Sequence, residues 1–274
     1  MNKKPLFSVI IPALNEEKFL PRLLSSLAAQ TKKNFEVIVV DGKSKDATVS
    51  VAKRFSKKLP SIRVVVSSKR SVPYQRNFGV QYARGDWFVF VDADGEFSPY
   101  FIERCTRYIE LQNPTVFSTW FLPDSTVPAD ALLTLLSTMT VEMSLVVKRQ
   151  ITPGPLSIVS RVAFDSVGGY NEEHSFGEDF DFGLRLAKAG FTVSILRESL
   201  CVFSLRRFRN EGTLKVIQQY AKGAFVGLVT KSAPKAMPGY IMGGQLYKTK
   251  KLVKRSVLKT YEKKLRQLTR ELFS

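Results

Sequence analysis

Histidine is almost missing from this 274-residue chain: His174 stands alone. One imidazole excludes most histidine-based metal sites and any two-histidine relay, so a bound metal must be held by carboxylates and phosphate. Cysteine is scarce too. Cys105 and Cys201 supply no disulfide framework and fit a reducing compartment. No clean bilayer span is visible: Ala131–Val147 is interrupted by Glu142 and falls short of the roughly 20 residues required. No signal-peptide h-region is expected ahead of the strand-like Leu6–Ile11. The turn after it, Pro12-Ala13-Leu14-Asn15-Glu16-Glu17, contains no glycine. A dinucleotide turn and a P-loop are both excluded there, so a nucleotide would be held by side chains and a metal.

What is present fits an ordinary globular chain, 44% apolar and 24% charged, long enough for one substantial α/β domain with an appendage. The formal charge of +18 is uneven. Residues 245–274 hold ten Lys and Arg against Glu262 and Glu271, a net +8. An anionic partner is expected, and charge alone does not say which.

The first half alternates strand and helix signals. Strands are expected at Phe7–Ile11, Phe35–Val40, Ile62–Val66 and Trp87–Val91, with helices at Glu16–Ala29, Asp46–Phe55 and Pro73–Tyr82. That alternation predicts a parallel sheet with ligands at the strand C-terminal ends. After Pro114 the pattern loosens. Helices are expected at Asp130–Lys148, Glu178–Ala189 and Leu214–Val229, and strand-like runs at Phe191–Leu196 and Cys201–Leu205. Pro234–Gly244 reads as a hinge, and the tail beyond it carries Leu246, Val253, Val257, Tyr261, Leu265, Leu268 and Leu272 on one helical stripe.

Three strand ends lead into acid: Glu16 and Glu17 after the first, Asp41 after the second, Asp92 and Asp94 after the fourth. Such carboxylates cap turns in many proteins, but a cluster of them repels itself unless a cation compensates. Asp-x-Asp at a strand end supplies hard oxygen ligands for a divalent ion bridging to phosphate. Downstream, Gly177-Glu178-Asp179-Phe180-Asp181 opens a helix, where carboxylates cap the N-terminus or serve as a general base. Arg206, Arg207 and Arg209 read as a solvated basic turn or as a clamp on a diphosphate or acceptor phosphate. His174 reads as a loop residue.

Residues 8–17 (SVIIPALNEE), 39–48 (VVDGKSKDAT), 75–79 (QRNFG), 92–94 (DAD) and 177–181 (GEDFD) occur in that order. Together they resemble a family 2 glycosyltransferase of the glycosyltransferase-A fold over residues 6–210. The resemblance implies an α/β Rossmann-type sandwich with a mostly parallel central sheet. It implies a catalytic domain at 1–210, with a donor half at 1–114 and an acceptor half at 115–210, followed by a basic helical extension at 211–274. Pro12, Ala13, Leu14 and Glu16 would line the nucleoside pocket, with Asp41 on the base or ribose and Arg76 on the base or diphosphate. Asp92, Ala93 and Asp94 would hold ribose and Mg²⁺ or Mn²⁺, with Glu96 as an outer ligand. Asp179, or failing that Glu178, would be the general base of an inverting displacement. Gly42 and Leu14 depart from many relatives, which have an acid and an aromatic there, so the base stays open.

The expected function is metal-dependent transfer of a sugar from a nucleoside diphosphate sugar to an acceptor hydroxyl or phosphate. The acceptor is a glycan, a lipid-linked carrier or a small molecule. The alternatives are a non-catalytic sugar-nucleotide-binding protein and a basic nucleic-acid-binding protein. No nucleic-acid partner is expected, because no aromatic-interleaved basic motif is present. A cytoplasmic protein is expected, peripheral on the inner face of a membrane if the basic tail binds anionic lipid. Ala131–Val147 reads first as a core helix, with reception of a lipid-linked acceptor as its second reading.

Overall fold

The structure, a computed structural model, describes residues 4–146, 152–230 and 232–240. Short apolar runs become strands β1 (Phe7–Ala13), β2 (Phe35–Asp41), β3 (Ile62–Val66) and β4 (Trp87–Val91). Every residue of β1, β2 and β4 is buried, which is why these runs are continuously apolar rather than alternating. Successive side chains point to opposite faces. Val9 and Ile11 join one core with helix α1 (Leu20–Ala28), while Ile10, Phe88 and Phe90 join a second core on the other face. Leu20, Leu23, Leu24 and Leu27 of α1 are fully buried, each burial stabilising by roughly 1.5–3 kcal/mol. Helices α2 (Thr48–Lys53) and α3 (Val72–Val80) complete the crossovers.

Beyond β4 come β5 (Glu96–Phe97), α4 (Phe101–Gln112), β6 (Val116–Pro123), α5 (Pro128–Val146), β7 (Leu156–Ser160) and α6 (Arg161–Ser166). Then follow α7 (Glu178–Lys188), β8 (Val193–Phe203), α8 (Arg206–Glu211) and α9 (Thr213–Thr230). One eight-stranded sheet runs β3-β2-β1-β4-β7-β6-β8-β5. Neighbours from β3 to β4 are parallel, as are β6 and β8; β7 is antiparallel to β4 and β6, and β5 to β8. The sheet is continuous across residue 114, because β7 of the second half pairs with β4 of the first.

Several expectations change. The loosened stretch after Pro114 contains β6 and β7, and α4 lies just ahead of it. The two strand-like runs near residues 191–205 form one strand, β8, that passes through Arg197-Glu198 and shifts register against β6 near Trp120. Arg206–Glu211 is a short helix rather than a turn. Helix α5 is not a core helix: it buries Thr134 and Ser144 and exposes Leu132, Leu135, Leu136, Met139 and Met143. Glu142 does not interrupt it, since Trp120 Nε1 and Arg197 donate to that carboxylate from the sheet side. By length and composition α5 is apolar enough to cross a membrane.

The described part of the C-terminal extension lies on the catalytic body. Val216 of α9 packs with Leu205 and Phe208, and Ser175 N donates to Lys235 O at 2.8 Å. The hinge beyond 240 and the lysine-rich stripe lie outside the described residues.

Candidate active site

The loops after β1 and β2 are laced together at the carboxyl edge of the sheet. Gly42 N donates to Ala13 O at 2.8 Å. Asn15 N donates to Ser44 Oγ, and Asn15 Oδ1 accepts from Lys45 N, both at 2.8 Å. Gln75 Nε2 bridges the two strand ends, donating to Val40 O and Ala13 O. In this floor Asp41 is buried, its Oδ2 accepting from Ser44 N at 3.1 Å. Its Oδ1 is buried with no hydrogen-bond partner, a cost unless a ligand N–H or O–H supplies one. Pro12 and Ala13 are buried at the strand end, and Leu14 is half-buried.

One step along the edge, β4 releases Asp92 and Asp94 on either side of Ala93, which is anchored in the core. Asp94 Oδ2 lies 2.8 Å from Arg206 Nε, and the same guanidinium is bidentate on Glu16, at 2.8 and 2.5 Å. Phe19 lies under it, 4.6 Å from the ring centroid. Arg22 donates to the Asp94 carbonyl and lies 3.8 Å from Glu96.

Arg76 is fully buried. Its guanidinium stacks on Tyr170 at 5.0 Å and donates to Gly154 O at 2.8 Å, Glu178 Oε1 at 3.2 Å and Asp92 Oδ1 at 3.4 Å. Arg76 thus lies beneath the strand ends, holding a β4 carboxylate and an α7 carboxylate on one cation.

Glu178 and Asp179 begin α7 after Gly177, whose φ of +70° favours glycine. Asp179 Oδ1 accepts from Phe180 N at 2.8 Å, and Thr152 Oγ1 donates to Asp179 O at 2.6 Å. Gly154 presses against the same carboxylate: a Cβ there would lie 2.7 Å from Asp179 Oδ2.

Too many carboxylates share this cleft for all to ionise freely. Burial, then the neighbouring Glu178, lifts Asp179 well above the usual carboxylate range. Burial also pushes Glu16 up to about 7 against the pull of Arg206, and Asp92 up to about 6 against the pull of Arg76. Asp92 nonetheless keeps 43% of its side chain open. An added cation would relieve this crowding. Among the described residues no group of three or more His, Cys, Asp and Glu forms a metal site by itself. Two carboxylates completed by substrate phosphates are the set that Mg²⁺-type ions accept, so Asp92 and Asp94 fit such an ion.

Other expected residues have different surroundings. Arg209 is engaged by Asp124, at 2.5 and 3.1 Å, and by Asp130 at 2.7 Å, tying α8 to β6 and α5 rather than joining Arg206. Arg207 stacks on Tyr240 at 4.1 Å. His174 is buried behind α7, with Nδ1 3.2 Å from Phe176 O and Nε2 3.7 Å from Asp181. Sequence reasoning missed Gly154 and Tyr170. Pro153 and Pro155 flanking Gly154 marked a turn, but nothing in their spacing pointed to Asp179.

Comparison with known proteins gives a consistent match. The model of glycosyl transferase family 2 matches residues 8–162. A Haemophilus influenzae protein described as an uncharacterised glycosyltransferase is 30% identical over 210 residues, covering 74% of this chain and 70% of its own. Among solved structures, Staphylococcus aureus TarS in complex with UDP has a TM-score of 0.61 at 23% identity, covering 73% of this chain. A Pyrobaculum calidifontis mannosyltransferase with GDP-Man and Mn²⁺ has a TM-score of 0.58 at 21% identity, covering 74% of this chain. The chain spans 60% and 57% of those two structures, and the likeness to them establishes the fold.

Proposed function

The chain belongs to glycosyl transferase family 2, and on that premise we propose that it transfers a sugar from a nucleoside diphosphate sugar to an acceptor hydroxyl, with inversion. What carries this reading is Arg76, whose buried guanidinium holds Asp92 at 3.4 Å and Glu178 at 3.2 Å. The donor-side carboxylates and the Glu178-Asp179 pair therefore belong to one site.

The donor's nucleoside lies on the floor between β1 and β2, where Asp41 Oδ1 accepts a hydrogen bond from the base or ribose. Asp92 and Asp94 would hold Mg²⁺ or Mn²⁺, which would supply positive charge to offset that developing on the departing nucleoside diphosphate. Asp179 takes the proton from the acceptor hydroxyl as its oxygen attacks the anomeric carbon. Its raised pKa, caused by burial and Glu178, suits a base that must hold the proton. Arg206, reaching Asp94 and Glu16 from α8, is in reach of the diphosphate once the donor's charge competes for it. We assign the acceptor to the lipid-linked class and the reaction to the cytoplasmic side of a membrane, in keeping with two free, buried cysteines.

A panel of nucleoside diphosphate sugars, assayed for transfer or hydrolysis with Mn²⁺ and with EDTA, tests the reading. Turnover of at least one donor with Mn²⁺ and its loss with EDTA are expected. A panel with neither metal-dependent binding nor turnover would overturn the proposal.

A further inference from the structure

Helix α5 turns its longest apolar stripe outward. Its inward side carries Thr134, Thr138, Glu142 and Ser144 along with the half-buried Leu133 and Leu145. Thr134 Oγ1 bonds Asp130 O, and Glu142 is engaged by Trp120 and Arg197. Its outward side carries Leu132, Leu135, Leu136, Met139, Met143 and Val146, each more than half exposed, up to 74% at Val146. These positions follow three- and four-residue spacing and form one stripe. No charged side chain shares the outward side. Its two hydroxyls are turned back on the helix, Ser137 Oγ donating to Leu133 O at 2.9 Å and Thr140 Oγ1 to Leu136 O at 2.8 Å. A side that asks nothing of water and offers no polar group to a protein partner is built for hydrocarbon.

We propose that the outward side of α5, continued by Leu214 and Ile217 of α9, is a lipid-binding surface that seats the protein on an anionic bilayer. The helix lies in the interface rather than spanning it. Spanning would carry Glu142 and its Arg197 partner into the hydrocarbon, whereas lying flat immerses the Leu and Met stripe alone. Lipid is favoured over a second copy of the chain by charge as well: a net +18 repels a like copy and draws an anionic surface. The surface also adjoins the cleft. Leu133 of α5 packs on Leu205, Phe208 and Val216, and Arg206, next to Leu205, reaches Asp94. Docking would thus bring the cleft to the headgroup layer, where a lipid-borne acceptor is presented. The lipid contact itself does not depend on the transfer chemistry.

The test is flotation of the full chain with phosphatidylcholine vesicles, with and without phosphatidylglycerol, at low and high salt. Wild type should float with the mixed vesicles. The variant Leu135→Gln, Met139→Gln, Met143→Gln should lose at least about tenfold in partitioning, with unchanged circular dichroism and thermal midpoint, because these positions are exposed. High salt should weaken wild-type binding without abolishing it. Failure of wild type to float, or equal flotation of the variant, would overturn the proposal. A wild-type dimer that the variant breaks, with vesicle binding intact, would overturn it in favour of a second copy of the chain.

Discussion

The two halves of the sheet solve different problems. From β1 to β4 the strands are parallel, β1, β2 and β4 are buried on both faces with β3 as a part-exposed edge, and the loops after β1 and β2 hydrogen-bond to each other. From β5 to β8 the directions are mixed, register shifts on both sides of Trp120 interrupt β6 against β8, and the flanking helix α5 exposes its apolar side. The first half presents a fixed set of acceptors, Asp41, Asp92 and Asp94. The second half supplies groups from far along the chain, Asp179 from α7, Gly154 from the turn before β7 and Arg206 from α8. Donor recognition is expected to reside in the first half and acceptor activation in the second, with Arg76 joining them. The difference can be measured by separating donor affinity from turnover.

The largest effect should come from the second half. Asp179→Asn is expected to lower kcat by about 10²–10⁴ while donor affinity, read by calorimetry with Mn²⁺, stays near wild type. The wild-type kcat should rise with pH through an inflection above the usual carboxylate range, because Asp179 must be deprotonated to act and burial raises its pKa. A variant with full transfer, or a profile flat through the neutral range, removes Asp179 as the base and with it the division between the halves.

The converse effect belongs to the first half. Asp94→Ala should reduce Mn²⁺-dependent donor affinity by more than about a hundredfold, and the residual affinity should no longer respond to EDTA. Arg206 would lose its Asp94 partner and keep Glu16, so the fold should survive with little change in thermal midpoint. Donor binding that remained metal-dependent would move the ion away from β4.

The same division decided what could be read before the structure. Phe7–Ile11, Phe35–Val40 and Trp87–Val91 were legible because two-sided burial demands unbroken apolar runs, and Asp41, Asp92 and Asp94 because they end those runs. In the second half, β7 (Leu156–Ser160) is broken by Ser157 and ended by Ser160, so it shows no apolar run longer than two residues, and it is held by pairing with β4 and β6. Helix α4 carries a stripe legible in the sequence, Phe101, Ile102, Cys105 and Ile109. Arg76 was recognisable as a site residue but not its burial, which depends on Tyr170, Gly154 and Glu178 meeting it from other elements. The exposure of α5 was illegible in principle, since an apolar helix facing lipid and one facing a core have the same composition.

Gly154→Ala should give the smallest effect and draws the finest distinction. Its backbone is outside the left-handed region, so alanine costs no strain there and only the contact counts. The new Cβ would lie 2.7 Å from Asp179 Oδ2 and 3.5 Å from its Cγ, and the carboxylate must turn away. The Arg76 bond to the Gly154 carbonyl uses the main chain and can persist, leaving Asp92 and the donor side in place. A displacement of this size at a proton-accepting oxygen should cost about tenfold in kcat with donor affinity unchanged. Gly154→Ala combined with Asp179→Asn should then be no worse than Asp179→Asn alone, because Gly154 acts only by positioning that carboxylate. Additive losses would show that residue 154 serves the donor side as well, through Arg76, and that the two halves are less separate than the sheet makes them.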